Sequence, residues 1–301
     1  FYESQRLTKQ YTKSLTLWNL LGASAAQIGK LDEAVFAFEK ALLIKPDYAA
    51  AHNNMGNVLK NQGKLDEAIE AYKKALSIKP DYAEAYNNVG NALKDQEKLD
   101  EAIGAYKKAL SIKPDYAEAY LNMGNALKDQ GKLDEAIEAY KNALSIKPNY
   151  AEAYYSIGNV LRDQGKLDEA IEAYKNALSI KPNYAEAYYS IGNVLKDQEK
   201  LDEAIEAYKN ALSINPNYAE AYNNLGVTLR DQGKLEDAIE SYIKAISLNP
   251  DYADAYYNMG AILQDQGKLD EAIEAYNKTI KIEPCNAEAY NNMGRSSPRA
   301  S

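Results

Sequence analysis

The chain has one cysteine, one histidine and one tryptophan in 301 residues. A single cysteine excludes an intramolecular disulfide framework. With one histidine beside it, His/Cys metal clusters and Cys-His or Ser-His-Asp catalysis have almost nothing to be built from. Basic residues are the minority, 35 Lys and Arg against 44 Asp and Glu, and no basic block stands out, so nucleic acid is not an expected partner. No apolar run approaches membrane-spanning length, and the start lacks a basic-then-apolar signal pattern, so no membrane partner is expected either. These absences predict a non-enzymatic protein of a reducing, cytoplasmic compartment, with no cofactor and no metal.

What is present is a ruler. Of nine prolines, eight (Pro46, Pro80, Pro114, Pro148, Pro182, Pro216, Pro250 and Pro284) stand 34 residues apart. A fixed period of this length signals a solenoid, in which each unit buries its apolar face only by stacking on its neighbours. Counting from Leu15, eight complete units follow: 15–48, 49–82, 83–116, 117–150, 151–184, 185–218, 219–252 and 253–286. Residues 1–14 resemble the diverged second helix of an earlier unit. Residues 287–294 begin a ninth, and 295–301 abandon the pattern and read as a disordered tail or scar, which suggests a fragment of a longer protein.

Within the unit 117–150, Tyr120, Met123, Gly124 and Leu127 recur at helical spacing, and after Gly131 the pattern restarts with Leu133, Ala136, Ile137, Tyr140, Ala143 and Leu144. Each unit is therefore a pair of amphipathic helices, A and B. Asp115 with Glu118 three residues on is expected to cap helix A, and Pro148 to stop helix B. Gly124, Ala136 and their equivalents let the helices approach closely, so enlarging one should cost roughly 1–3 kcal/mol. Of 26 tyrosines, 21 occupy three recurring positions, those of Tyr120, Tyr140 and Tyr150. They are expected to interlock between adjacent units with their hydroxyls at the edge. His52 and Trp18 share the Tyr120 position, which marks the histidine as a packing residue.

Trp18, Leu21, Gly22, Ala34, Phe38, Ala41 and Pro46 in the first unit, and Tyr, Met, Gly, Ala, Tyr, Ala and Pro in later ones, resemble the tetratricopeptide repeat over residues 15–286. The resemblance implies an all-α, right-handed solenoid superhelix of helix-turn-helix repeats, with helix A of each unit lining a concave groove. Glu97 and Glu199 depart from it by replacing the glycine between the helices, which suggests a turn that does not require positive φ. Ala25, Leu59 and Leu93 replace a tyrosine common in the family.

Opposite the buried stripe of helix A lie Glu118, Asn122, Asn125 and Asp129. Asparagine is a poor helix former, by several tenths of a kcal/mol relative to alanine. Yet it recurs at Asn54, Asn88, Asn122, Asn224, Asn258 and Asn292, and again at Asn57, Asn91, Asn125, Asn159 and Asn193. A carboxamide offers donor and acceptor together, so such a ladder can grip the backbone of an extended protein or peptide partner without reading its side chains. The pattern is similar to the asparagine ladder of the tetratricopeptide superhelix of O-linked N-acetylglucosamine transferases. The competing reading is that the amides bond to one another, or persist because the units are copies. Replacing them by alanine is expected to leave the helices intact. Tyr155 and Tyr189, beside Ser156 and Ser190, form a candidate stacking patch, and Tyr257 repeats the aromatic.

Other chemistry is not supported. The positions at which some family members clamp a C-terminal carboxylate with Lys and Arg hold Asn87, Leu121 or Tyr155, and Glu118 or Glu152. Gly131-Lys132-Leu133 lacks the parts of a phosphate loop, and paired acids such as Asp134-Glu135 recur at every helix B start, where they complement the helix dipole. Cys285 sits at a turn and reads as an exposed thiol. The expected function is a scaffold for a protein partner. Two alternatives remain: the substrate-recruiting region of a larger glycosyl-, sulfo- or methyltransferase, and a structural rod whose uncapped ends allow weak self-association.

Overall fold

The computed structural model describes residues 1–296, and every regular element among them is an α-helix. Helix α1 (Tyr2–Gln10) precedes nine A helices: α2 (Leu15–Gln27), α4 (Ala49–Asn61), α6 (Ala83–Asp95), α8 (Ala117–Asp129), α10 (Ala151–Asp163), α12 (Ala185–Asp197), α14 (Ala219–Asp231), α16 (Ala253–Asp265) and α18 (Ala287–Ser296). Eight B helices alternate with them: α3 (Leu31–Ile44), α5 (Leu65–Ile78), α7 (Leu99–Ile112), α9 (Leu133–Ile146), α11 (Leu167–Ile180), α13 (Leu201–Ile214), α15 (Leu235–Leu248) and α17 (Leu269–Ile282). Arg295 and Ser296 continue α18 instead of leaving it, with Ser296 buried and its hydroxyl donating to the Asn292 carbonyl at 3.0 Å. The remainder of the expected tail, 297–301, lies outside the described residues.

The chain forms two compact units, Phe1–Ala153 and the residues from Tyr154 on. In the first, α4 touches α2 and α6, and α6 touches α8; in the second, α14 touches α12 and α16, and α16 touches α18. Among the described residues neighbouring B helices of a unit make no such backbone approach. Each unit therefore has an inner layer of A helices and an outer layer of B helices with gaps between them.

The junctions differ from the expected capping. Tyr116, not Asp115, is the N-cap of α8, and no side chain caps that helix. Among the described helices with a resolved cap, Ser14 caps α2 with its hydroxyl, accepting from Leu17 N at 3.4 Å. At five junctions an aromatic clip holds the turn, as where Lys79 Nζ lies 4.7 Å from the Tyr82 ring and Lys147 Nζ 4.0 Å from the Tyr150 ring. The proline that follows each such lysine fixes the lysine in extended backbone and ends helix B.

Helix A ends in a tight reversal in which Lys64 N donates to the Leu59 carbonyl at 2.9 Å across Gly63, whose φ is +77°. Glu97 and Glu199 do not relax this turn. They adopt φ of 62° and 59° and keep the same bonds, Lys98 N to Leu93 O and Lys200 N to Leu195 O, both 2.9 Å. The turn does require positive φ, because that bond forms only across a left-handed residue. A glutamate there carries about 1–2 kcal/mol of steric strain.

The core runs from repeat to repeat, as where Ala109 and Leu110 cluster with Ala119 of the next, and each repeat adds an internal lock. Tyr72, Tyr106, Tyr140, Tyr174, Tyr208, Tyr242 and Tyr276 are fully buried, with Phe38 at the same place in the first repeat. Each ring lies against the glycine of its own helix A: a Cβ on Gly124 would sit 2.5 Å from Tyr140 Cε1. The Tyr140 position therefore locks helix A to helix B of one repeat, with its ring and hydroxyl buried and not at an edge.

Candidate peptide-binding face

The A helices place the predicted asparagines on the inner layer, all half-buried. In the first unit the two rows have distinct partners. Asn57, Asn91 and Asn125 each accept, through Oδ1, the hydroxyl proton of the buried tyrosine of their own repeat: Tyr72 at 2.8 Å, Tyr106 at 2.8 Å and Tyr140 at 2.9 Å. Burial pushes the Tyr72 and Tyr106 phenols well above the usual range, so they remain protonated donors. In the other row Asn88 Nδ2 donates to Asn53 Oδ1 and Asn122 Nδ2 to Asn87 Oδ1, each at 3.0 Å and each one repeat back. Asn53 and Asn87 are buried, 5% and 1% exposed.

Apart from Asn54, each ladder amide of the first unit is thus half consumed. Asn91 and Asn125 keep their NH2 groups, Asn88 and Asn122 keep their carbonyls, and Asn54 makes no protein hydrogen bond among the described residues. Donor and acceptor alternate three residues apart on one helical face. This corrects the expectation that alanine would be harmless. Alanine at Asn122 would strand the buried Asn87 side-chain carbonyl, and at Asn91 the Tyr106 hydroxyl, at about 1–3 kcal/mol each.

The second unit differs. Asn159 and Asn193 accept from Tyr174 and Tyr208 at 2.9 and 2.8 Å. Asn224, however, is fully engaged: it donates to Tyr189 Oη at 3.0 Å and Asn193 Oδ1 at 2.9 Å, and accepts from Asn223 at 3.3 Å. Asn258 accepts from Arg230 at 3.4 Å, and Asn292 donates to Tyr257 Oη at 3.2 Å. Tyr155 and Tyr189 are not a free stacking patch. Their rings pack at 5.6 and 6.0 Å on Tyr174 and Tyr208, and at 5.0 and 4.9 Å on Tyr184 and Tyr218.

The tyrosine-to-asparagine bond has a signature across the repeats. Where the buried ring is Phe38, with no hydroxyl, Ala23 replaces the asparagine. In the repeat of Tyr242 that place is held by Val227, and the Tyr242 hydroxyl is buried with no partner. Tyr276, opposite Ala261, turns to Gln264 at 2.8 Å. Val227→Asn is expected to stabilise the protein by about 0.5–1.5 kcal/mol by supplying the missing acceptor. A denaturation midpoint that does not rise would refute the pairing. Asn53 and Asn87 were the functional neighbours missed from sequence; their one signal is a polar residue at a position that is Leu121 or Tyr155 elsewhere.

Charge at the edge of this layer is locally neutralised. Lys60 pairs with Asp95 at 3.4 Å and Lys94 with Asp129 at 4.0 Å, while Arg162 and Arg230 pair with the aspartate next in sequence. His52 Nε2 lies 2.9 Å from the Pro46 carbonyl, in a packing role. Among the described residues no cluster of His, Cys, Asp or Glu could hold a metal, and no helix is long and apolar enough to cross a membrane.

No curated protein matches this chain. Among solved structures it is similar to MamA, with 33% identity over 55% of this chain and 97% of that one and a TM-score of 0.51. It is also similar to YrrB, described as a TPR protein with an unusual peptide-binding site, at 29% identity over 62% and 96% with a TM-score of 0.52. The Cut9-Hcn1 assembly shares the fold over 95% of this chain at 18% identity, with a TM-score of 0.64. Family models described as "TPR repeat" match residues 24–63, 57–97, 90–131, 124–161, 158–198, 192–230 and 228–267, and one described as "Tetratricopeptide repeat" matches 253–284. With its Gly-to-Tyr locks, its glycine-type reversals and these matches across residues 24–284, the chain belongs to the tetratricopeptide repeat family.

Proposed function

We propose that this chain is a docking scaffold whose A-helix layer holds an extended stretch of a partner protein, chiefly through the first unit. The observation that carries this is the half-occupied amide. Asn88 and Asn122 present carbonyls, and Asn57, Asn91 and Asn125 present NH2 groups, on side chains whose other half is fastened to the fold. Such groups are pre-oriented, so little rotamer entropy is lost on binding. They match the alternating N–H and C=O of an extended backbone and read no side chain. The likeness to YrrB, a protein with a peptide-binding site, favours the same class of ligand. In the second unit Asn159, Asn193 and Asn258 likewise keep NH2 groups and are further candidates, whereas Asn224 is fully engaged and Tyr155 and Tyr189 are packed on neighbouring rings, which makes these three secondary. Amide bonds at a net ~0.5–1.5 kcal/mol each against an association cost of roughly 4–15 kcal/mol give affinity in the micromolar range or weaker.

The test must spare the fold. Asn91→Asp with Asn125→Asp keeps an oxygen for each tyrosine hydroxyl and replaces each free NH2 by an acceptor. Peptides of extended conformation selected on the wild type should lose about tenfold or more in affinity, roughly 1.4 kcal/mol, with the melting curve little changed. Undiminished capture by a folded variant would refute the ladder.

A further inference from the structure

The lysine clips between a B helix and the next A helix stop partway along the chain. Lys45, Lys79, Lys113, Lys147 and Lys181 each hold Nζ over the tyrosine three residues on. One of them has a second partner: Lys113 Nζ lies 4.7 Å from the centre of the Tyr116 ring and 3.7 Å from the Glu84 carboxylate. An ammonium between a carboxylate and an aromatic face gains from the charge of the one and the quadrupole of the other. At the next two junctions the tyrosines remain, Tyr218 and Tyr252, but Asn215 and Asn249 replace the lysine. Each asparagine is turned back on its own loop, with Oδ1 accepting from Asn217 N and Asp251 N at 3.1 Å.

The acids that accompany the clip are still present. Burial is the largest cause that raises the Tyr116 phenol, and Glu118 and Glu84 add to it; for Tyr218, burial, Tyr189 and Tyr155 are followed by Glu186 and Glu220, which hold the same two places. Glu220 and Asp254 act likewise on Tyr252. These three acids are exposed and make no ion pair among the described residues. No lysine or arginine occurs from 210 to 229 or from 245 to 267. The cations nearest in sequence are placed elsewhere: Lys181 on the Tyr184 ring, Lys209 along an outer groove, and Lys196 and Arg230 in the last turns of α12 and α14.

Tyr184 and Tyr218 show what the exchange does to the ring. Each is packed by a tyrosine of the A helix before it, Tyr155 at 5.0 Å and Tyr189 at 4.9 Å. Tyr184 also carries Lys181 Nζ at 4.1 Å and is buried, 9% exposed, whereas Tyr218 has no cation over it and is only half-buried. Losing the lysine uncovers an aromatic surface flanked by two carboxylates.

We propose that the notches at Tyr218 and Tyr252 receive Lys or Arg side chains of the bound partner, which take there the place that Lys113 fills at Tyr116. This rests on the reading that an extended partner segment lies along the A-helix layer, and adds that the segment is basic where it meets the second unit. Glu186 shares a helical face with Ser190 and Asn193, four and seven residues on, so a segment that follows the amides passes it. The occupant is set by what the fold itself puts at the same place. An acidic side chain is repelled by both carboxylates, and a neutral one gains from neither the acids nor the ring charge distribution.

The test is fluorescence anisotropy with a labelled peptide of alternating threonine and lysine, and counterparts in which every lysine is glutamine or glutamate. The lysine peptide should bind the wild type about tenfold or more tighter than the glutamine peptide, and the glutamate peptide should bind least. Asn215→Lys with Asn249→Lys, which restores the internal clips, should abolish the preference for lysine. Asn176→Lys with Asn210→Lys adds the same charge on the outer helices, at the position held by Lys74 and Lys108 in other repeats, and should preserve the preference to within about twofold. All four asparagines are exposed, and circular dichroism verifies the helices. The glutamine peptide reads the amides alone: Asn91→Asp with Asn125→Asp should weaken it and Asn215→Lys with Asn249→Lys should not, so a failure of the ladder and a failure of the notches are seen separately. Equal affinity for the lysine and glutamine peptides, no binding of either, or equal effects of the two lysine pairs would overturn the assignment. So would spermidine that binds as tightly as the lysine peptide and displaces it, which would give the notches to a free polyamine.

Discussion

Raising the pH above 10 should unfold this protein steeply. The buried phenols of Tyr72, Tyr106, Tyr174, Tyr208 and Tyr242 are all shifted upward, and desolvation is the largest cause for each. In the unfolded chain a tyrosine loses its proton near pH 10. Above that pH the unfolded state binds fewer protons than the native one, so stability falls as pH rises; below it the two states bind alike and these groups contribute no slope. Each neutral-held phenol adds a slope of up to about 1.4 kcal/mol per pH unit. Several of them acting between pH 10 and 12 would exceed the typical 5–15 kcal/mol of a folded domain at roughly the upper end of that window. Urea titrations followed by helicity at stepped alkaline pH, with tyrosinate absorbance recorded in parallel, would check this. Tyr106→Phe together with Tyr208→Phe should move the alkaline transition upward, and a flat stability profile to pH 12 would show that the rings are not held as described.

Gly90→Ala and Gly104→Ala should have opposite signs, though both replace a helical glycine in the same unit. A Cβ on Gly90 would stand 2.5 Å from Cε1 and 2.7 Å from Cδ1 of Tyr106, a fully buried ring whose hydroxyl is tied to Asn91. The ring cannot retreat without leaving that bond. Overpacking of this kind costs about 1–3 kcal/mol or more, and the helix-propensity gain of about 1 kcal/mol offsets only part of it. A net loss of about 2 kcal/mol is expected. Gly104 lies on the outer helix α7 with nothing within 4 Å of its would-be Cβ, so alanine there should gain about 1 kcal/mol. Denaturation midpoints of the two variants decide the matter. Tyr106→Leu in the Gly90→Ala background should recover part of the loss if the ring is the obstacle.

Both predictions rest on contacts between residues 15 or 16 apart, within one repeat, and that separation explains what could be read beforehand. The proline spacing, the restart of periodicity after Gly131 and the apolar stripes gave helix pairs with boundaries close to those observed, because such signals are local. The capping differs because Tyr116 precedes α8 without any side-chain hydrogen bond, whereas the Ser14 and Asn286 side chains at that place accept from the first turn. Glu97 was misread because composition suggested a relaxed turn, whereas the bond from Lys98 N to Leu93 O imposes φ of 62° on whatever residue stands there.

The asparagine rows divide in the same way. Their recurrence on one face of helix A follows from the sequence, since a period of about 3.6 residues fixes which side chains share a face. Which half of each carboxamide is spent on the fold does not. The partner of Asn91 is Tyr106 on the next helix, and the partner of Asn122 is Asn87 one repeat back, a choice made by the depth to which one helix sinks against another. The chain's own order of residues thus determined the repeat, the helices and their faces. Tertiary packing decided which polar atoms remain free, because hydrogen bonds are directional and short while hydrophobic periodicity is neither.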